Sequence, residues 1–176
     1  MAAAPMQALG RLRCLEQGCC HGHPVAWGIR VNNIHSRVTA LGALRGVPIH
    51  PTQLYSILGN IVSGMLLARM WALGVSATVV AGLYLMSAGV LRFVEEAYRG
   101  EPQTLRTAGL PLYQWLALAS FLGGMAVCVV PAAPAAGFAM PSIAGWGWAA
   151  LVGVVCAAAM GVDFPKATWR FSRLSG

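Results

Sequence analysis

The chain has 176 residues, 12 Lys+Arg against 5 Asp+Glu, a net charge of +7 and 57% hydrophobic side chains. Only 10% of residues are charged, against roughly 25% in soluble globular proteins. That excludes intrinsic disorder and leaves a soluble enzyme of this size short of polar cover. The charges are also unevenly placed: positions 46–68, 70–91 and 107–162 carry no Asp, Glu, Lys or Arg. A membrane-spanning helix needs about 20 apolar residues, so these gaps accommodate one, one and two spans. The predicted fold is all-α, a polytopic membrane bundle of about four transmembrane helices preceded by a polar loop.

Met1 to Ala8 is apolar but too short for a signal-peptide core, and no cleaved leader is expected. Residues 10–50 form the polar segment, holding all four histidines, Arg11, Arg13, Arg30, Arg37 and Arg45, and the cysteines Cys14, Cys19 and Cys20. Interspersed glycines and prolines argue against one long helix. A short helix or re-entrant piece is predicted near 5–17, and a hairpin near 25–39.

The first span is predicted at 53–73, opening at His50-Pro51, since proline suits a helix start. Its Ser56, Gly59, Ser63 and Ala68 offer small faces for close packing in lipid. The second covers 76–93 and runs into RFVEEAYRG. The third, 109–130, carries Tyr113 and Trp115 as interfacial anchors. A proline-rich break follows, then a fourth span at 142–162 and a basic, aromatic tail. This divides the chain into a polar segment 1–50, a three-span core 51–131, and an extra span with its tail at 132–176. With four spans, residues 1–50, the loop 92–106 and the tail share one side, which the positive-inside rule assigns to the cytoplasm.

Three clusters on that side can carry chemistry: GRLRCLEQGCCHGHP at 10–24, IHPTQLY at 49–55, and RFVEEAYRG at 92–100. On a helix Arg92 would stack over Glu96, and Glu95 over Arg99. Glu95 and Arg99 can reach water, whereas Arg92 follows the apolar run YLMSAGVL. An arginine at that depth is a functional candidate, and its fork suits bidentate grip of a phosphate. Cys14, Cys19, Cys20, His21 and His23 are zinc's preferred ligand types. Their spacing is not the usual C-x2-C pair, and adjacent cysteines do not readily face one ion. They are read as packing residues in a tight turn, with a disulfide or a metal site as alternatives.

Together the clusters resemble the prolipoprotein diacylglyceryl transferase family. GRLRCLEQGCCHG is similar to that family's signature, HPTQLY to its His-Pro-Ser/Thr-Gln-Leu-Tyr segment, and RFVEEAYRG to its R-F-x-x-E-x-x-R segment. Gln114 matches a glutamine opening the family's next span, so the likeness covers residues 9–125. The resemblance implies a multi-pass enzyme of the bacterial cytoplasmic (inner) membrane, with its polar side facing outward. Its reaction moves the diacylglyceryl group of phosphatidylglycerol to the lipobox cysteine of a prolipoprotein. Carried over by motif, Arg11 and Arg92 contact the phosphate, with Arg99 nearby, and Glu96 orients Arg92. Gly18 and Gly22 lie in the signature loop beside Cys14 and Cys19, while His50 and Gln53 border the cavity entrance. Arg92, Glu96 and His50 are the catalytic candidates. No metal, cofactor or nucleic acid is expected. The family has helices upstream of the signature, so the chain reads as a truncated or divergent homologue. Two other readings compete: a membrane thiol- or metal-binding protein, and an inactive membrane scaffold.

Overall fold

The computed structural model describes residues 3–34, 36–40, 42–100, 105–134 and 142–160, the last five as backbone only. His35, positions 101–104 of the charged loop, 135–141 of the proline-rich break and the tail from 161 lie outside the described residues, as does the side chain of Cys156.

In chain order, helix α1 (Ala3–Gln17) leads through a tight turn into strand β1 (Pro24–Arg30) and a one-turn helix α2 (Arg37–Ala40). Strand β2 (Pro48–Ile49) precedes the long helices α3 (Thr52–Ala72) and α4 (Ala77–Tyr98). A small hairpin of β3 (Arg106–Thr107) and β4 (Leu110–Pro111) then feeds α5 (Leu112–Cys128), and α6 (Ile143–Met160) follows.

Local chemistry sets the helix ends. Pro51 supplies the N-cap of α3. At its other end Gly74 takes a left-handed φ of 77°. Gly74 N–H then donates to Trp71 O at 3.0 Å, and Val75 N–H to Met70 O at 3.1 Å. This pattern closes a helix around a residue that glycine adopts at little cost. The Ser76 hydroxyl caps α4 by accepting from Val79 N–H.

The helices approach through small residues, as close packing in lipid requires. A Cβ on Gly59 of α3 would strike Leu91 of α4, and one on Gly82 of α4 would strike Cys128 and the Gly124 carbonyl of α5. Helix α1 lies against α3 where Ala4 meets Gly64.

Polar side chains share the interior with a small apolar core that includes Val38, Ile49, Ile57, Leu67 and Val80. Thr52, Gln53, Ser56, Asn60, Glu95, Glu96 and Gln114 are buried, while Leu58, Met65, Leu66, Val90 and Leu122 face outward. A soluble protein does the reverse, and lipid accepts this arrangement. Ala77–Tyr98 is the helix long and apolar enough to cross a membrane among the described residues. Helix α3 has the length, about 32 Å at 1.5 Å per residue, but Gln53, Asn60 and Arg69 dilute its apolar character. Helix α5 and the Ile143–Val155 part of α6 are apolar but shorter.

The expected hairpin near 25–39 is not what forms. β1 pairs antiparallel with β2, Ile29 opposite Ile49 and Arg30 opposite Pro48. Gly28 permits it, because a Cβ there would collide with the Ile49 carbonyl. The intervening chain folds instead into α2, with Val38 buried beneath the turn that follows α1.

Candidate functional site

The segment after α1 is the junction of the three sequence clusters. Gly22 N–H donates to His50 O and His23 N–H to Tyr98 O, each at 3.0 Å. Gly100 N–H donates to His21 O at 3.0 Å, and His50 N–H to His23 O at 3.2 Å. The signature turn is thus clasped between the start of α3 and the end of α4. Glycine is required at the contact: a Cβ on Gly22 would meet the backbone oxygens of His50 and Tyr98, and one on Gly100 would meet Gly22 O. Side chains reinforce it. Thr52 Oγ1 donates to Cys20 O at 2.6 Å and Gln53 Nε2 to Cys19 O at 2.8 Å. The Oε1 atom of Gln53 is buried without a hydrogen-bond partner.

From this junction an ion-pair network runs inward. Arg11 Nη2 donates to Glu95 at 2.7 Å. Arg92 Nη1 lies 3.1 Å from Glu95 Oε1, and its Nη2 lies 3.5 Å from Glu96 Oε2. Arg99 Nη1 reaches Glu96 Oε2 at 3.2 Å while its Nη2 donates to Cys20 Sγ at 3.0 Å. The Arg92 guanidinium also sits 4.4 Å from the centre of the Tyr113 ring, a cation–π contact. Three arginines against two carboxylates leave one net positive charge, and the glutamates are nearly sealed at 4% exposure. Arg11 and Arg92 remain 19% and 25% exposed. The free faces of these forks are what an anion would meet.

Both open onto one cavity of about 560 Å³, lined also by Cys14, Ser56, Asn60, Glu95, Tyr113 and Ser120. One part of its wall is polar and another, from Ala88, Gly89, Leu91, Leu116 and Ala117, is apolar. A ligand with a charged head and an aliphatic body fits that division.

The remaining candidates fall elsewhere. Gly18 is left-handed, φ 72°, and a Cβ there would collide with Ser36 Oγ. Gly18 and Gly22 are packing positions, and neither is among the cavity-lining residues. His50 belongs to an aromatic group with His23, Tyr55 and Tyr98, its Nδ1 3.2 Å from the Tyr55 hydroxyl. Gln114 is buried and donates to Phe93 O at 3.2 Å, joining α5 to α4.

Glu95 corrects the sequence reading. It does not reach water but is buried between Arg11 and Arg92. Arg99 is buried too, at 4% exposure. The sequence also missed Ser56, Asn60 and Tyr113 as cavity walls. Asn60 alone gave a signal, as an amide inside an otherwise apolar run.

The cysteines gather behind Arg11. Cys14, Cys19 and Cys20 place their sulfur atoms within 4.8 Å of one another, and they form no disulfide with one another. Hydrogen bonds from Cys19 and then Cys20 hold the Cys14 thiol well below its usual range, and Arg11 adds to them against the cost of burial. The hydrogen bond with Cys14, then that with Cys20 and burial, push the Cys19 thiol up.

The arrangement can be set beside known proteins. The family model for prolipoprotein diacylglyceryl transferase matches residues 1–130. The chain belongs to this family. Two curated phosphatidylglycerol–prolipoprotein diacylglyceryl transferases are similar to it. The protein of Clostridium tetani (strain Massachusetts / E88) is 30% identical over 102 residues, covering 58% of this chain and 39% of that one. The protein of Bordetella avium (strain 197N) is 34% identical over 92 residues, covering 49% and 34%. The chain therefore spans between a third and two fifths of the length of the curated relatives it matches. No solved structure matches it significantly.

Proposed function

We propose that this chain carries the headgroup-binding half of a diacylglyceryl transferase, moving the diacylglyceryl group of phosphatidylglycerol to the lipobox cysteine thiol of a prolipoprotein. The supporting observation is the network of Arg11, Arg92 and Arg99 braced by buried Glu95 and Glu96 at a part-apolar cavity. The lipid's phosphate takes the exposed forks of Arg11 and Arg92, and its acyl chains follow the apolar wall. The leaving group is glycerol phosphate, so preorganised cations that stabilise its developing charge lower the barrier. Glu96 orients Arg92, His50 lies in the aromatic group outside the network, and Gln53, Gly18 and Gly22 hold the loop that carries Cys19 and Cys20. The enzyme sits as a multi-pass bundle of four spans in the bacterial inner membrane, its arginine mouth toward the outer leaflet, where exported prolipoproteins arrive.

The test is transfer of labelled diacylglyceryl to a lipobox peptide, with the chain joined to the upstream helices of a relative. Arg92→Lys keeps the charge but loses the bidentate fork. Turnover is expected to fall about 10²–10³-fold, the usual cost of one preorganised donor to a developing anion. Near-normal turnover would reject the phosphate role, because lysine can snorkel as arginine does.

A further inference from the structure

Sequence spacing argued against one ion being faced by both Cys19 and Cys20. In regular extended backbone, neighbouring side chains point to opposite sides. Here the turn is not regular. Gly18 and Cys20 are both left-handed, at φ 72° and 58°, and the second is a conformation that a non-glycine residue seldom takes. The alternation breaks, and both sulfurs come round to Cys14 at the end of α1. Backbone contacts hold this shape from outside, through Thr52 on Cys20 O and Gln53 on Cys19 O.

The geometry points to a thiophilic metal site formed by Cys14, Cys19 and Cys20, binding a zinc-class d10 cation with a fourth position open to an exogenous thiol. With zinc–sulfur bonds near 2.3 Å, tetrahedral sulfurs stand about 3.8 Å apart. The observed limit of 4.8 Å closes to that with small side-chain adjustments. Charge agrees as well. Three thiolates and a divalent ion leave one negative charge, which the one net positive charge of the arginine–glutamate network balances through Arg99, already donating to Cys20 Sγ at 3.0 Å. Such outer hydrogen bonds are a regular part of metal–thiolate sites. Three protein ligands rather than four is the pattern of zinc sites that keep a position for water or substrate.

Cys14 lines the same cavity as Arg11 and Arg92, which gives the open position a use. That use rests on the transfer reaction proposed above; the metal site itself does not. A substrate thiol entering the fourth position loses its proton to solvent and binds as a thiolate. Its sulfur then forms a bond to the glyceryl carbon. The carbon–oxygen bond to phosphate breaks, its electron pair leaving with glycerol phosphate toward the arginines. The thioether product is neutral, a weaker ligand than the thiolate, and departs.

The reduced, metal-free chain in detergent is titrated with Cd²⁺ and with Zn²⁺. One metal per chain is expected, with a cadmium–thiolate absorbance corresponding to three thiolates. Excess 2-mercaptoethanol should raise that absorbance by about a third as a fourth thiolate binds, the open position of a three-ligand site being filled. Cys14→Ser, Cys19→Ser and Cys20→Ser should each weaken binding at least about tenfold, since even losing a group that only supports a ligand commonly costs that much, and Cys128→Ser should not. If a serine variant fails to fold, the unaltered chain still decides. Zinc should protect three cysteines from alkylation while Cys128 keeps reacting. Absence of stoichiometric binding, or of that protection, overturns the site, and unchanged absorbance on adding thiol overturns its open position. Because these readouts need no turnover, a metal-binding chain that transfers nothing would reject the transfer reading alone.

Discussion

Two polar regions meet at the end of α4, and they differ in what holds them. The ion-pair network inward of Arg99 is buried, charged and made of contacts that each depend on the others. The group of His23, His50, Tyr55 and Tyr98 lies outward of it and is more exposed, with ring centres 4.8–6.5 Å apart. A sealed carboxylate raises the stakes of every partner, because removing one leaves a charge without water. An exposed ring loses little, because solvent takes up the vacated hydrogen bond. Preorganised charge is therefore confined to the inner region, and the outer one can give up a contact at little cost.

The sharpest way to break this contrast is Glu95→Ala. It leaves Arg11 without its carboxylate and Arg92 with Glu96 alone, and breaking a buried pair costs about 3–5 kcal/mol. Denaturant unfolding in detergent measures it, and a loss below about 1 kcal/mol would show that the network is as wet as a surface ion pair. Next in size is Gly22→Ala, which acts on the seam between the two regions. The added Cβ meets backbone that has little room to move, so a cost of about 1–3 kcal/mol is expected, as for overpacking elsewhere. Neutrality there would mean that the seam yields. Smallest is Tyr55→Phe, which removes an exposed hydrogen bond to His50 and should cost under about 1 kcal/mol. Its transfer rate should stay within a few-fold of the parent; a drop as deep as that of Arg92→Lys would shift the chemistry outward to His50.

Much of the scaffold was legible in the chain. Uncharged intervals located α3, α4, α5 and α6 to within a few residues, since an apolar run leaves few other folds open to it. Arg92 stood out by depth, with Glu96 one turn away. What the sequence could not reveal depends on distance along it. Glu95 is buried because Arg11, 84 positions earlier, comes to meet it. No local pattern encodes that meeting. The pairing of β1 with β2 turned on one missing Cβ at Gly28. The gathering of three sulfurs turned on the backbone handedness of Cys20. Composition and periodicity do not report backbone handedness.

The clasp of residues 21–23 between His50 and Tyr98 is built on four main-chain hydrogen bonds, with His23 Nδ1 adding a contact to Tyr98 O at 2.9 Å. Every amino acid but proline brings the same amide and carbonyl to such a joint, so the frame does not depend on which side chains hang from it, apart from the glycines at its tightest points. The side chains of Cys19 and Cys20, which meet Gln53 and Thr52 through their main-chain carbonyls, are in that sense fittings on a fixed mount. A lineage could exchange a carboxylate for a thiol there and alter the groups set beside Arg99 without having to reinvent the fold that presents them.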